Sequence, residues 1–93
     1  MHYVLIIHAV KDCSAWKQVF DEAAAIRKQA GEESSYVLRD ERDANNIVHF
    51  SKWNSLGNAR SFFESKKLIV IRRQAGVEAP EFVYLESLDQ GTF

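Results

Sequence analysis

The run Tyr3-Val-Leu-Ile-Ile-His-Ala-Val10 constrains the fold of this chain more than any other segment. Successive side chains of a strand point to opposite faces, so the run splits into Tyr3, Leu5, Ile7 and Ala9 against Val4, Ile6, His8 and Val10. Neither set is polar. A strand apolar on both sides belongs in the middle of a sheet that is covered on both faces. The run has no basic leader and falls far short of the ~20 residues that cross a bilayer, so it is read as a strand and not as a signal.

The remaining elements follow from periodicity and capping. Ser14 is placed as the N-cap of a first helix, because its hydroxyl can accept from a first-turn amide. Trp16, Val19, Phe20, Ala23, Ile26 and Ala30 recur at three- and four-residue steps along that helix, and Gly31 ends it. Residues 34–41 alternate weakly as a second strand, with Tyr36 and Leu38 on one side and Val37 and Arg39 on the other. The turn-rich stretch Arg42-Asp-Ala-Asn-Asn46 leads into a third strand at 47–53, which should pair with the second as an antiparallel hairpin. Asn54 or Ser55 caps a second helix with Leu56, Ala59 and Phe63 inside. Ser65 recaps a further helical stretch that runs to Ala75, with Gly76 as its stop. A last strand is expected at 81–88, followed by a loose tail at 89–93.

The expected fold is therefore α+β: one ferredoxin-like βαββαβ domain over 1–93 with a four-stranded antiparallel sheet. Both helices of such a domain pack on one face of the sheet, which leaves the opposite face bare. An apolar face of that size exceeds what a monomer normally exposes, and a symmetric homodimer would cover it. Twelve basic against thirteen acidic residues give a net charge of −1, so there is no positive field for a polyanion and no nucleic acid or membrane partner is expected. The single cysteine, Cys13, cannot form an internal bridge, and a cytoplasmic location is the default.

Four segments resemble the dimeric α/β-barrel group that includes antibiotic-biosynthesis-monooxygenase-like small proteins. They are Trp16-Lys-Gln-Val-Phe-Asp21, Trp53-Asn-Ser-Leu56, Ala59-Arg-Ser-Phe-Phe-Glu-Ser65 and Ala75-Gly-Val77, and the resemblance extends over nearly the whole chain. It implies two sheets facing each other across a dimer, with a pocket in each half between the sheet and the helices or loops. Oxygenases of the group work without metal or flavin, using an Asn, a Trp and a Tyr or His around the substrate. Trp53 matches the Trp position. Haem-degrading relatives also use an Asn on the first strand and a His on the second helix. Met1 to Val10 holds no Asn and Ser55 to Lys67 no His, so that pattern is not met.

His49 shares one face of its strand with Ile47, Ser51 and Trp53, and His8 sits on what should be a neighbouring central strand. A neutral imidazole in an apolar wall can act as a base or a hydrogen-bond anchor, and Trp53 offers a flat surface for an aromatic ligand. The candidate ligand-binding residues are His8, Tyr36, His49 and Trp53, with His49 as the catalytic candidate. Each also has a plain structural reading, as a satisfied core histidine, a packing tryptophan or a tyrosine at a sheet edge or dimer seam. Arg27, Arg39, Arg60, Arg72 and Arg73 are expected at the surface, solvated or paired. No metal is expected, since the three histidines are scattered and no HExxH or CxxC spacing occurs. No cofactor is expected either, and nucleotide and nucleophile signatures are absent. Two functions remain open. One is a small-molecule binder or cofactor-independent monooxygenase-like enzyme acting on an apolar or aromatic compound, and the other is a non-catalytic homodimeric interaction or stress-related module.

Overall fold

A computed structural model describes residues 1–92, with Phe93 outside the described residues. The chain runs β1 (His2–Val10), α1 (Cys13–Glu22), α2 (Ala24–Ala30), β2 (Glu32–Arg39), β3 (Asn46–Trp53), α3 (Leu56–Phe63), α4 (Lys66–Gln74) and β4 (Val77–Glu86). The strands form one sheet of order β2-β3-β1-β4 with every neighbouring pair antiparallel, which is the ferredoxin-like βαββαβ arrangement. The doubly apolar β1 is central, as its composition demands.

Parity assigns the two faces. Val4, Ile6, His8 and Val10 of β1 are buried beneath the helices together with Ile47, His49, Ser51 and Trp53 of β3. The odd residues of β1 lie on the other face. There the register places Tyr36 beside Phe50, Leu38 beside Val48, and Val83 and Leu85 beside Leu5 and Tyr3. That second face is apolar and open, with Tyr36 65% and Leu38 53% exposed.

Several boundaries differ from the sequence reading. The N-cap of α1 is Asp12 and not Ser14: the Asp12 carboxylate accepts from the Ser14 amide at 3.0 Å. An anionic acceptor also suits the positive end of the helix dipole. The first helical stretch is interrupted by a turn at Ala23, giving α1 and α2 in place of one helix. Ser55 and Ser65 cap α3 and α4 through their hydroxyls, accepting from Asn58 and Leu68. β2 begins at Glu32, two residues before the expected start.

β4 begins at Val77, not at Glu81, and so includes Pro80. It is an edge strand, where a missing N–H is tolerated. The β1–β4 register slips between Ile7 and Ala9, so Ala79 and Pro80 form a bulge opposite His8, with Ala79 at φ 42. Bulges of this kind often adjoin functional sites. Of the expected tail, residues 87–92 are neither helix nor strand, while Phe93 lies outside the described residues.

Gly31 joins the helical layer to β2 at φ 125, and its carbonyl accepts from the Asn54 amide at 2.9 Å. A Cβ there would collide with the Asn54 side chain. The same junction delivers the next residue, Glu32, to the helix-covered face.

Candidate functional site

Between that face and the helices lies a cavity of about 70 Å3, several times the ~10–15 Å3 that one water requires. Its lining is almost wholly apolar. The sheet supplies Ile6, His8, His49 and Phe82, α1 supplies Trp16, Val19 and Phe20, and the later helices supply Phe62, Phe63, Leu68 and Ile71. Two guanidinium groups, of Arg27 and Arg72, complete the wall.

His8 and His49 reach the cavity from adjacent strands. His49 is opposite Ile6 and His8 is opposite Ile47, which makes the two histidines diagonal neighbours on one face. Aromatic contacts link them: His8 to Trp16 at 5.3 Å between centroids, Trp16 stacked on Phe20 at 4.9 Å, and Phe20 edge-on to His49 at 4.9 Å. Phe63 also meets His49 edge-on, at 6.4 Å.

The environments of the two imidazoles differ. His8 is 5% exposed and neither of its nitrogens has a hydrogen-bond partner. Burial first, then the nearby His49 and Arg72, disfavour its charged form and bring its pKa down from 6.5 to about 4. At neutral pH it is an uncharged ring with one donor and one acceptor, both free. An unsatisfied buried polar group is unfavourable, so a ligand able to use both would be held.

His49 instead faces a buried carboxylate. Its Nε2 is 3.1 Å from Glu32 Oε2, while Glu32 Oε1 accepts from Arg27 Nε at 3.0 Å. The His49 contact has the distance of an ion pair but not the alignment of a hydrogen bond, since the N–H does not point along the line to the oxygen. It is a close electrostatic contact. Arg27 is fixed further by donation to the Phe20 carbonyl and by lying over the Phe20 ring at 3.6 Å.

Arg72 is held by donation to the Phe63 carbonyl at 2.9 Å and by its position over the Phe82 ring at 5.0 Å. Burial lowers its pKa from the ordinary value. Among the described residues no carboxylate stands within salt-bridge distance of it, and no three His, Cys, Asp or Glu side chains converge as metal ligands. No helix among them is long and apolar enough to cross a membrane.

The structure brings two of the four sequence candidates to the cavity, His8 and His49. Trp53 is 1% exposed just behind it, packed on Phe62 and Phe63, with its indole N–H donated to Ser51 Oγ at 2.8 Å. It supports the wall without forming it. Tyr36 does not join them: it pairs with Phe50 on the opposite face, and Val37 is the β2 residue beside His49. Arg27, expected at the surface, is 8% exposed. The spacing Trp16, Phe20, Ala23, Arg27, Ala30 runs in steps of four and three, which is the signal that would have placed it inside. Glu32 carries no such pattern.

No family model matches the sequence, and no curated protein matches it. Solved structures do. SnoaB of Streptomyces nogalater, a cofactor-independent oxygenase, aligns with TM-score 0.79 at 14% identity over 96% of this chain and 94% of that one. A protein described as an antibiotic biosynthesis monooxygenase aligns with TM-score 0.74 at 12% identity, over 96% and 100%. The monooxygenase ActVA-Orf6 of Streptomyces coelicolor, solved with nanaomycin D, aligns with TM-score 0.67 at 14% identity, over 98% and 90%. Identities this low speak for the fold, and the fold of this chain is that of the antibiotic-biosynthesis-monooxygenase-like proteins.

Proposed function

We propose that this chain binds a small flat aromatic compound between its sheet and helices, as a cofactor-independent monooxygenase-like enzyme does, and that it works as a homodimer. The observation that carries the reading is His8: a fully buried imidazole with two unpartnered nitrogens in an otherwise apolar cavity. A purely structural module would gain stability from an apolar residue there. The ring-lined walls suit a planar ligand, and the donor and acceptor of neutral His8 suit a ligand hydroxyl or carbonyl. The non-catalytic alternative finds its support only in the open apolar face, which a dimer would bury under either reading.

Titration with 2-naphthol, followed by tryptophan fluorescence, should give a saturable change, because Trp16 lines the cavity. His8→Phe should weaken that response roughly tenfold, the loss of about one hydrogen bond from a buried site. A flat response across naphthols and phenols would overturn the reading.

The homodimer has its own test. Leu5, Ile7, Val48, Phe50, Val83 and Leu85 form a continuous open surface with Tyr36 and Leu38, and in solution it should be covered by a second copy. Light scattering should return twice the 10.7 kDa of the chain, and Leu38→Asp should shift it toward the single-chain mass. A wild-type mass of one chain would refute the dimer and leave the cavity reading intact.

A further inference from the structure

The line Arg27–Glu32–His49 needs a reason, because burying a carboxylate and a guanidinium is unfavourable unless each is compensated. Glu32 divides its two oxygens. One accepts from Arg27 Nε, and the other stands 3.1 Å from His49 Nε2. The negative charge 3.1 Å from Nε2 favours, electrostatically, the tautomer with its proton on that nitrogen, which leaves the lone pair on Nδ1. The edge-on rings of Phe20 and Phe63 keep the imidazole from turning. A base held by a third group is the arrangement that activates proton transfer in unrelated folds.

The rest of the cavity completes it. Arg72 brings a positive charge without a carboxylate partner among the described residues, and His8 brings a neutral N–H. Both line the cavity, and fixed donors in an apolar surrounding stabilise developing charge more than water does.

We infer that His49 is a general base in this cavity with Glu32 as its positioning residue, and that the cavity abstracts a proton from a weak carbon or oxygen acid on a planar ring. The inference rests on the cavity being a ligand site, and it goes further by assigning a proton-transfer activity that needs no oxidant.

5-Nitrobenzisoxazole reports on such a base alone. The base takes the proton from C3, and the C–H electron pair becomes the third bond of a nitrile. The N–O bond breaks, and its pair stays on the phenolate oxygen, giving 2-cyano-4-nitrophenolate. The purified full chain should catalyse this with saturation, at least roughly 100-fold faster than 4-methylimidazole at equal concentration, within the range of positioned general bases.

The rate should rise with pH and then level, as it does for a reaction run by an unprotonated base. The ionisable groups around His49 are Glu32 of β2, 3.1 Å away, and Arg27 of α2, His8 of β1 and Arg72 of α4, which line the same cavity. His49→Gln should bring the rate to that of free imidazole, with His49→Asn as a second variant and thermal melts confirming that either is folded. Glu32→Gln, assayed at a temperature where it is folded, should move the midpoint of the pH profile, which a merely structural carboxylate would not do. A wild-type rate no better than 4-methylimidazole, or a folded His49 variant as fast as wild type, overturns the inference. Calorimetry with 2-cyano-4-nitrophenol separates the two failures: binding without catalysis sinks only the base, and no binding sinks the ligand site with it.

Discussion

Glu32→Ala should lower the stability of this domain by about 3–5 kcal/mol, the range found when one partner of a buried ion pair is removed. The variant leaves the Arg27 guanidinium, 8% exposed, without its carboxylate and leaves His49 Nε2 facing nothing. A domain of this length has only ~5–15 kcal/mol in hand, so much of the population would unfold on mild heating. Urea unfolding of wild type and variant measures the difference directly. The double variant Arg27→Met/Glu32→Ala should regain at least half, because the stranded charge is then gone and an apolar chain can lie against Phe20. A loss below about 1 kcal/mol would mean that the pair behaves as a surface bridge, which its burial argues against.

Acid should weaken the fold in a window set by His8. Its folded pKa of about 4 lies below the ordinary 6.5, so folding favours the neutral ring. The stability tied to that ring is fully present above pH 6.5. It is lost progressively as the pH falls through about 4, because protonation then favours the unfolded chain. The drop from 6.5 to about 4 corresponds to roughly 3 kcal/mol. His8→Leu should remove this component, so its stability should change less than that of wild type between pH 6.5 and 4.5, and at pH 7 it should equal or exceed wild type. Parallel curves for the two proteins over that interval would show that His8 is not held neutral by the fold. Binding of an aromatic ligand to the folded protein should fade only as the pH nears about 4, since a charged His8 has no acceptor left.

The two predictions differ in how far the sequence foretold them. His8 was visible in the parity of β1, where it falls with Val4, Ile6 and Val10, and a strand period of two leaves no other face for it. The same rule places His49 with Ile47 and Trp53. Ser55, Ser65, Gly31 and Gly76 announced their helix ends through local chemistry that needs no distant partner. Glu32 was silent. Nothing in its neighbours says that a glutamate after a glycine will turn inward, because its burial depends on Arg27 and His49, five and seventeen residues away. Arg27 shared the apolar spacing of the first helical stretch, yet charge alone argued for the surface.

Tyr36 shows the converse. As an aromatic on a strand it invited a ligand role, but the β2–β3 register puts it beside Phe50 on the face away from the cavity. That register is a long-range fact. The β4 start was hidden for a similar reason, since Pro80 reads as a stop until the strand is known to be an edge with a bulge opposite His8.

By itself, then, the sequence determined the order of elements, the central place of β1 and the face that carries both histidines, because these depend on period and capping within a few residues. Tertiary structure alone decided that the face encloses a cavity, that Trp53 lies behind its wall and that Arg27 and Glu32 meet His49. Those contacts join α2, β2 and β3, and side-chain chemistry gains its partners only when packing brings separate elements together.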